Sequence, residues 1–257
     1  MKRTSKELKR IARDILNNRY TIPMGAFVTA SLIPAVIELP FSMSVGNYPT
    51  NSQLVITALA KFLILLIGQV LSIGVYQVHL NMTRGKEFHF LQIFNPFRSN
   101  TERHFGASFL YFILALSSCL PAILATVYFY LVDITPLSIC IVGIGMILTI
   151  VFVFLFALNY QMVFFILLEQ PQMKVLRAFK ESRLLMKGNK KRLLYILLSF
   201  LGWDALILCS FGIAALWISP YQNQILTIFY LDCTGELNQI PVRDYSKEST
   251  PYSNLFS

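Results

Sequence analysis

Long apolar runs that are almost free of charge constrain this chain more than any other feature. Two of them, 106–132 and 137–168, contain no charged residue, and the runs 22–43 and 54–80 contain one each. A helix of about 20 residues crosses the roughly 30 Å hydrocarbon core of a bilayer, so each run is long enough to span it. The chain is therefore predicted to be an all-α, polytopic membrane helix bundle.

The fifth apolar run, 193–231, decides the number of spans. As one helix it would be about 58 Å long, roughly twice the core thickness, whereas two spans joined near Gly212 fit its length. Six transmembrane helices are therefore predicted, over 22–44, 54–80, 106–132, 137–168, 192–209 and 212–233. Five spans followed by a re-entrant or interfacial helix are the alternative, because the second half of this run holds a polar patch formed by Tyr221, Gln222, Asn223 and Gln224.

The basic residues lie between the apolar runs, which predicts the orientation of the chain. Lys and Arg number seven in 1–20, four in 81–104 and eight in 169–192, whereas 44–53 and 133–136 contain none. The positive-inside bias then places the N-terminus and both long loops in the cytoplasm, and an even number of spans returns the C-terminus there. Because membrane insertion explains the net charge of +9, no nucleic-acid partner is predicted.

Two amphipathic helices are predicted on the cytoplasmic side. The first, over 4–18, starts with a capping-box pattern and carries Lys6, Lys9, Arg10 and Arg13 opposite its apolar face, which suits the anionic inner leaflet. The second, over 171–187, starts at Pro171. The alternative for both is packing on the rim of the bundle without a specific lipid or protein partner. A single domain over 1–236 and a flexible polar tail over 237–257 complete the predicted organisation.

Four stretches in the second half carry a family resemblance. They read AFKESRLLMKGNK at 178–190, LSFLGW at 198–203, LWISPY at 216–221 and FY at 229–230, and Arg84-Gly85-Lys86 and the 4–16 helix fit the same pattern. Together they resemble the signature of a bacterial integral-membrane family catalogued only as a domain of unknown function. The resemblance implies a multi-helix bundle in the bacterial cell membrane, and it implies no established activity.

Motifs that carry chemistry are missing from the sequence. It contains no P-loop, no HExxH helix, no Gly-x-Ser-x-Gly elbow and no CxxC pair. No catalytic residue, metal site or cofactor is therefore predicted, and the chain is not expected to be an enzyme. His79, His89 and His104 match no ligand spacing and are expected at the surface or the rim of the bundle.

Three charges inside the predicted spans are the candidate site. Glu38, Lys61 and Asp204 each fall an estimated six to eight residues from an outer helix end, so we expect a Glu38–Lys61 pair that Asp204 could join. A charge cluster of this kind is either a structural clamp or part of a pathway.

Two functions follow from these observations. The favoured one is a non-enzymatic scaffold, regulatory or protective component that contacts membrane lipids and possibly other membrane proteins. The alternative is a transporter or lipid-handling protein that uses the outward-facing charge cluster.

Overall fold

The structure is a computed structural model that describes residues 3–43, 50–132 and 135–239. Within these ranges the chain is helical and contains no strand, as predicted. Residues 44–49, 133–134 and 240–257, and with them most of the predicted tail over 237–257, lie outside the described residues. The α-helices are α1 (Ser5–Leu16), α2 (Thr21–Met43), α3 (Asn51–Thr83), α4 (Asn95–Arg98), α5 (Thr101–Ser118), α6 (Leu120–Leu131), α7 (Pro136–Tyr160), α8 (Val163–Glu169), α9 (Val175–Leu185), α10 (Lys190–Cys209) and α11 (Ala215–Thr234).

Fewer helices qualify as membrane spans than the six predicted. Four are long and apolar enough to cross a bilayer, namely α2, α3, the α7–α8 segment and α10. A fifth is possible if α5 and α6, which are bent by 49° relative to one another, count as one span. Helix α11 is not among them, because the polar patch at its middle lowers its hydropathy.

Three predicted segments differ from the helices observed. Pro121 lies in the first turn of α6, and its missing N–H coincides with the bend that breaks the predicted 106–132 span. The 137–168 span is interrupted by a turn at 161–162. The helix predicted to start at Pro171 starts at Val175 instead, because the backbone of its N-cap residue Lys174 is extended. In the turn before it, Arg103 of α5 donates hydrogen bonds to the carbonyls of Gln170 and Pro171.

Burial divides the described part of the molecule into two regions. Exposed large apolar side chains cover most of α2, the first half of α3, and α6, α7 and α10. The main buried core lies elsewhere, among α1, the second half of α3, α8, α9, the first half of α10 and the second half of α11. Every residue from Gln224 to Asp232 of α11 is buried.

Helices α10 and α11 form an antiparallel hairpin. Arg192 near the start of α10 meets Asp232 near the end of α11, and Asp204 meets Gln222 midway. The turn follows Cys209, where Phe211 and Gly212 both adopt positive φ angles of 51° and 88°. This is the turn position predicted from the single glycine, which tolerates that conformation.

Helix α1 packs along α11 with its apolar face inside the core. Leu8, Ala12 and Leu16 are fully buried there, and the predicted capping box of Thr4 and Glu7 starts the helix. The apolar face is therefore used for packing on protein, as in the rim-packing alternative, and only the basic face is left to contact other molecules.

Candidate functional site

Arg84 joins the ends of three helices in a group that we call the Arg84 network, formed by Arg84, Glu169, Tyr230 and Glu236. Arg84 is the C-cap residue of α3. Its guanidinium donates to Glu236, just after α11, at 2.6 and 2.7 Å, and also to Glu169 at the end of α8. Tyr230 donates its hydroxyl to the same Glu169 carboxylate at 2.5 Å. The network fixes the second half of α11 relative to α3 and α8.

A second group, the Arg192 network, ties the residue Arg3 before α1 and the end of α11 to the start of α10. Arg192 donates to the carboxylate of Asp232 at 2.5 Å and to the backbone carbonyl of Arg3 at 2.5 Å. The Arg3 amide donates back to Asp232 at 3.4 Å. Since the Asp232 side chain is only 1% exposed, its charge depends on these partners.

A neutral hydrogen-bonded triad lies in the core between α3 and α11. Gln224 accepts a hydrogen bond from His79 at 2.7 Å and donates to Thr83 at 2.6 Å, and Thr83 donates to the His79 carbonyl. Because the Gln224 oxygen is the acceptor, the His79 Nδ1 atom carries the proton. The expected surface position is wrong for His79 and for His104, which are both buried, whereas His89 is exposed.

The structure brings together two of the three predicted intramembrane charges. Lys61 Nζ lies 3.4 Å from Glu38 Oε1, and both side chains are about half exposed. Asp204 is separate, because it accepts a hydrogen bond from Gln222, which lies beside Ser72 of α3. Ser72 is eleven residues from Lys61, or about 16 Å along the helix. The charge cluster is therefore a pair, and Asp204 belongs to the α10–α11 hairpin.

The predicted polar patch is divided between two environments. Gln224 is fully buried in the triad, and Tyr221 packs edge-on against Trp203. Gln222 and Asn223 instead line a cleft of about 260 Å³ between α2, α3 and α11. The lining also includes Ser31, Ser72, Tyr76 and Ser219, which are residues with hydroxyl groups.

The predicted basic residues of α1 face outward. Lys6, Arg10 and Arg13 are exposed, and Lys9 is half-buried with its ammonium group 5.7 Å from the Tyr195 ring. Burial lowers the pKa of Lys9. Helix α9 and its flanks add a second exposed basic face, with Lys174, Arg177, Lys180, Arg183 and Lys187 around the exposed Leu176 and Leu184.

Sequence reasoning missed the two networks and the triad. Their charged members lie at the ends of apolar runs, where ionisable residues are ordinary and give no signal of pairing. The position of Glu169, directly after a long uncharged run, was the available clue. No group of three or more His, Cys, Asp or Glu side chains is placed to hold a metal ion in the described ranges.

This arrangement defines an all-helical protein whose long apolar helices are compatible with a membrane location. The end of the molecule that contains the Arg84 and Arg192 networks is called the polar end below. The chain belongs to the family described as Protein of unknown function (DUF975), which matches residues 1–236. The resemblance to a family of unknown function is thus confirmed. No curated protein and no solved structure matches the chain.

The Arg192–Asp232 pair should be essential for stability. Replacing Arg192 with Met strands a buried carboxylate, and we expect a loss of about 3–5 kcal/mol. A double-mutant cycle with Asp232→Asn, measured by thermal unfolding in detergent, should show strong coupling. The exposed i,i+4 pair Arg177–Glu181 of α9 is the control, and its coupling should be about 0.5 kcal/mol or less. Additive effects at Arg192 and Asp232 would contradict this assignment.

The Glu38–Lys61 pair should be coupled more strongly in a bilayer than in solution. Lys61→Met leaves a carboxylate without its counter-charge among lipid tails, where an unpaired charge is costly. A double-mutant cycle of Glu38→Gln and Lys61→Met, measured by unfolding in lipid nanodiscs, should therefore give a coupling free energy above about 1 kcal/mol. That value is the upper end for exposed ion pairs in water. A coupling near zero would mean that each side chain reaches water.

Proposed function

We propose that this chain is a non-enzymatic component of the bacterial cell membrane with a scaffold, regulatory or protective role. The observation that carries the proposal is the exposed basic surface at the polar end. This surface is formed by Lys6, Arg10 and Arg13 on α1 and the basic face of α9. The Arg192 network anchors Arg3, just before α1, and the Arg84 network anchors Glu169, a few residues before α9. A fixed surface of this charge suits anionic lipid headgroups and acidic segments of other membrane proteins.

The common location of the helix ends supports cytoplasmic placement of both termini. Arg3, Arg192 and Asp232 are in direct contact, so the N-terminus, the start of α10 and the end of α11 lie on one side. The positive-inside bias assigns that side to the cytoplasm.

The α10–α11 hairpin supports a re-entrant arrangement in place of two complete spans. Gly212 at its tip precedes Gln222, which lies beside Ser72 of α3, by ten residues, so the tip extends about 15 Å beyond Ser72. The outer end of α3, at Asn51, is about 32 Å from Ser72 by the same measure. The tip also carries the exposed apolar residues Leu208, Phe211 and Ile213, which favour hydrocarbon over water.

The transporter alternative draws less support from this geometry. It depended on Glu38, Lys61 and Asp204 at one depth, and Asp204 lies apart from the pair. A polar route toward the cytoplasmic end would also have to pass the buried segment from Gln224 to Asp232 of α11.

Cysteine labelling tests the arrangement of the hairpin. On a cysteine-free background, we expect Phe211→Cys to resist a membrane-impermeant maleimide added outside intact cells, and the control Ser52→Cys, at the outer end of α3, to react. A probe at Asn254 should react only after the cells are opened. External labelling of Phe211→Cys would instead support six spans, and external labelling of Asn254 would contradict cytoplasmic placement of the C-terminus.

Lipid binding tests the proposed role of the basic surface. Changing Lys6, Arg10 and Arg13 to Gln should reduce the phosphatidylglycerol retained by the purified protein, by roughly fivefold in affinity per charge at low salt. Lipid mass spectrometry on protein from mixed phosphatidylglycerol and phosphatidylcholine nanodiscs measures the retention. The matched control, Lys6→Arg with Arg10→Lys and Arg13→Lys, keeps the charge and should retain the lipid. Equal retention by the Gln variant would show that α1 does not contact headgroups.

A further inference from the structure

The cleft between α2, α3 and α11 contains polar groups that lack partners. The hydroxyls of Ser31, Tyr76 and Ser219 and the side-chain amide of Asn223 make no hydrogen bond within the described residues. The other two polar residues are already engaged in part. Ser72 donates to the Gly68 carbonyl at 3.0 Å, and Gln222 donates to Asp204 at 2.8 Å, which leaves the Gln222 Oε1 atom as an acceptor.

The position of the cleft makes these free groups significant. Ser72 and Tyr76 lie about 32–38 Å along α3 from Asn51, close to the thickness of the hydrocarbon core. If α3 spans the bilayer as proposed, the cleft opens near the inner boundary between lipid tails and headgroups. Unpaired polar groups at the edge of hydrocarbon are costly, so an occupant that forms hydrogen bonds with them is favoured.

The lining identifies the chemistry of that occupant. None of the nine lining residues carries a charge, so a charged ligand would find no counter-charge in the cleft. Hydroxyl and amide groups both donate and accept, and this matches a ligand whose own groups do the same. A volume of about 260 Å³ holds roughly eight water molecules, or a small polyol.

We propose that this cleft is a binding site for an uncharged, hydroxyl-rich group, in which Asn223, Ser219 and Ser31 form the ligand hydrogen bonds and Asp204 orients Gln222. The group is either the headgroup of a neutral lipid, which reaches the cleft from the inner leaflet, or a free polyol from the cytoplasm. The site is independent of the basic surface, because its residues lie on α2, α3 and α11 and carry no charge.

The test uses a cysteine reporter inside the cleft. Ala30 lines the cleft and makes no polar contact there, so Ala30→Cys on a cysteine-free background reports occupancy through its rate of alkylation by N-ethylmaleimide. Ala35→Cys, an exposed position on the same helix, is the matched control. The protein is placed in phosphatidylcholine nanodiscs, with dioleoylglycerol added to the bilayer in one arm and glycerol added to the buffer in the other.

We expect at least one probe to slow alkylation of Ala30→Cys severalfold without changing Ala35→Cys. Protection by dioleoylglycerol alone identifies a lipid headgroup, and protection by glycerol alone identifies a free polyol. Asn223→Leu should lower the affinity for the protecting probe by roughly three- to tenfold, which is the effect of one lost hydrogen bond. Ser219→Ala is the milder second variant, with Ser199→Ala on α10 as its control.

Two results would overturn the proposal. One is an unchanged rate at Ala30→Cys with both probes, and the other is protection that persists at full strength in Asn223→Leu and in Ser219→Ala. Retention of radiolabelled glycerol and dioleoylglycerol by the protein with its native cysteines gives the same comparison if the cysteine-free chain does not fold.

Discussion

The buried carboxylate of Asp232 is the constraint on which the arrangement of the polar end depends. A charge that is 1% exposed persists in a protein core only with a close counter-charge, and Arg192 supplies it. This requirement brings the start of α10 to the end of α11, and the Arg3 backbone completes the contact. The first and last helices of the described chain are thereby held together.

The Arg84 network extends this constraint to the other helices. It places the ends of α3 and α8 beside the same segment of α11, so the buried stretch from Gln224 to Asp232 becomes the centre of the core. The rest of the molecule differs from the polar end in its exposed surface. The exposed side chains of α2, α6 and α7 are mostly large and apolar, and such surfaces are suited to contact lipid. A braced polar end and an apolar remainder together fit a protein that presents a fixed surface at the membrane.

The cleft lies where these two regions meet. Its lining comes from residues of α11 just before the buried segment and from α2 and α3, where the lining includes the buried Val75. Gln222 links the cleft to the rest of the hairpin, since its amide donates to Asp204 of α10 while its neighbours Ser219 and Asn223 line the cleft. A ligand in this place would contact the helix that the two networks hold in position.

The sequence by itself determined the helical class, the long apolar runs, the turn near Gly212 and the capping box of α1, because each depends on residues close together along the chain. It also predicted the Glu38–Lys61 pair, since a short connection brings those two helices side by side. Only the tertiary structure separated Asp204 from that pair, buried His79 and joined Arg192 to Asp232. These outcomes depend on the position of each helix along its neighbours. The hydropathy of the sequence gives the length of a helix, but it does not give the offset of that helix along another one.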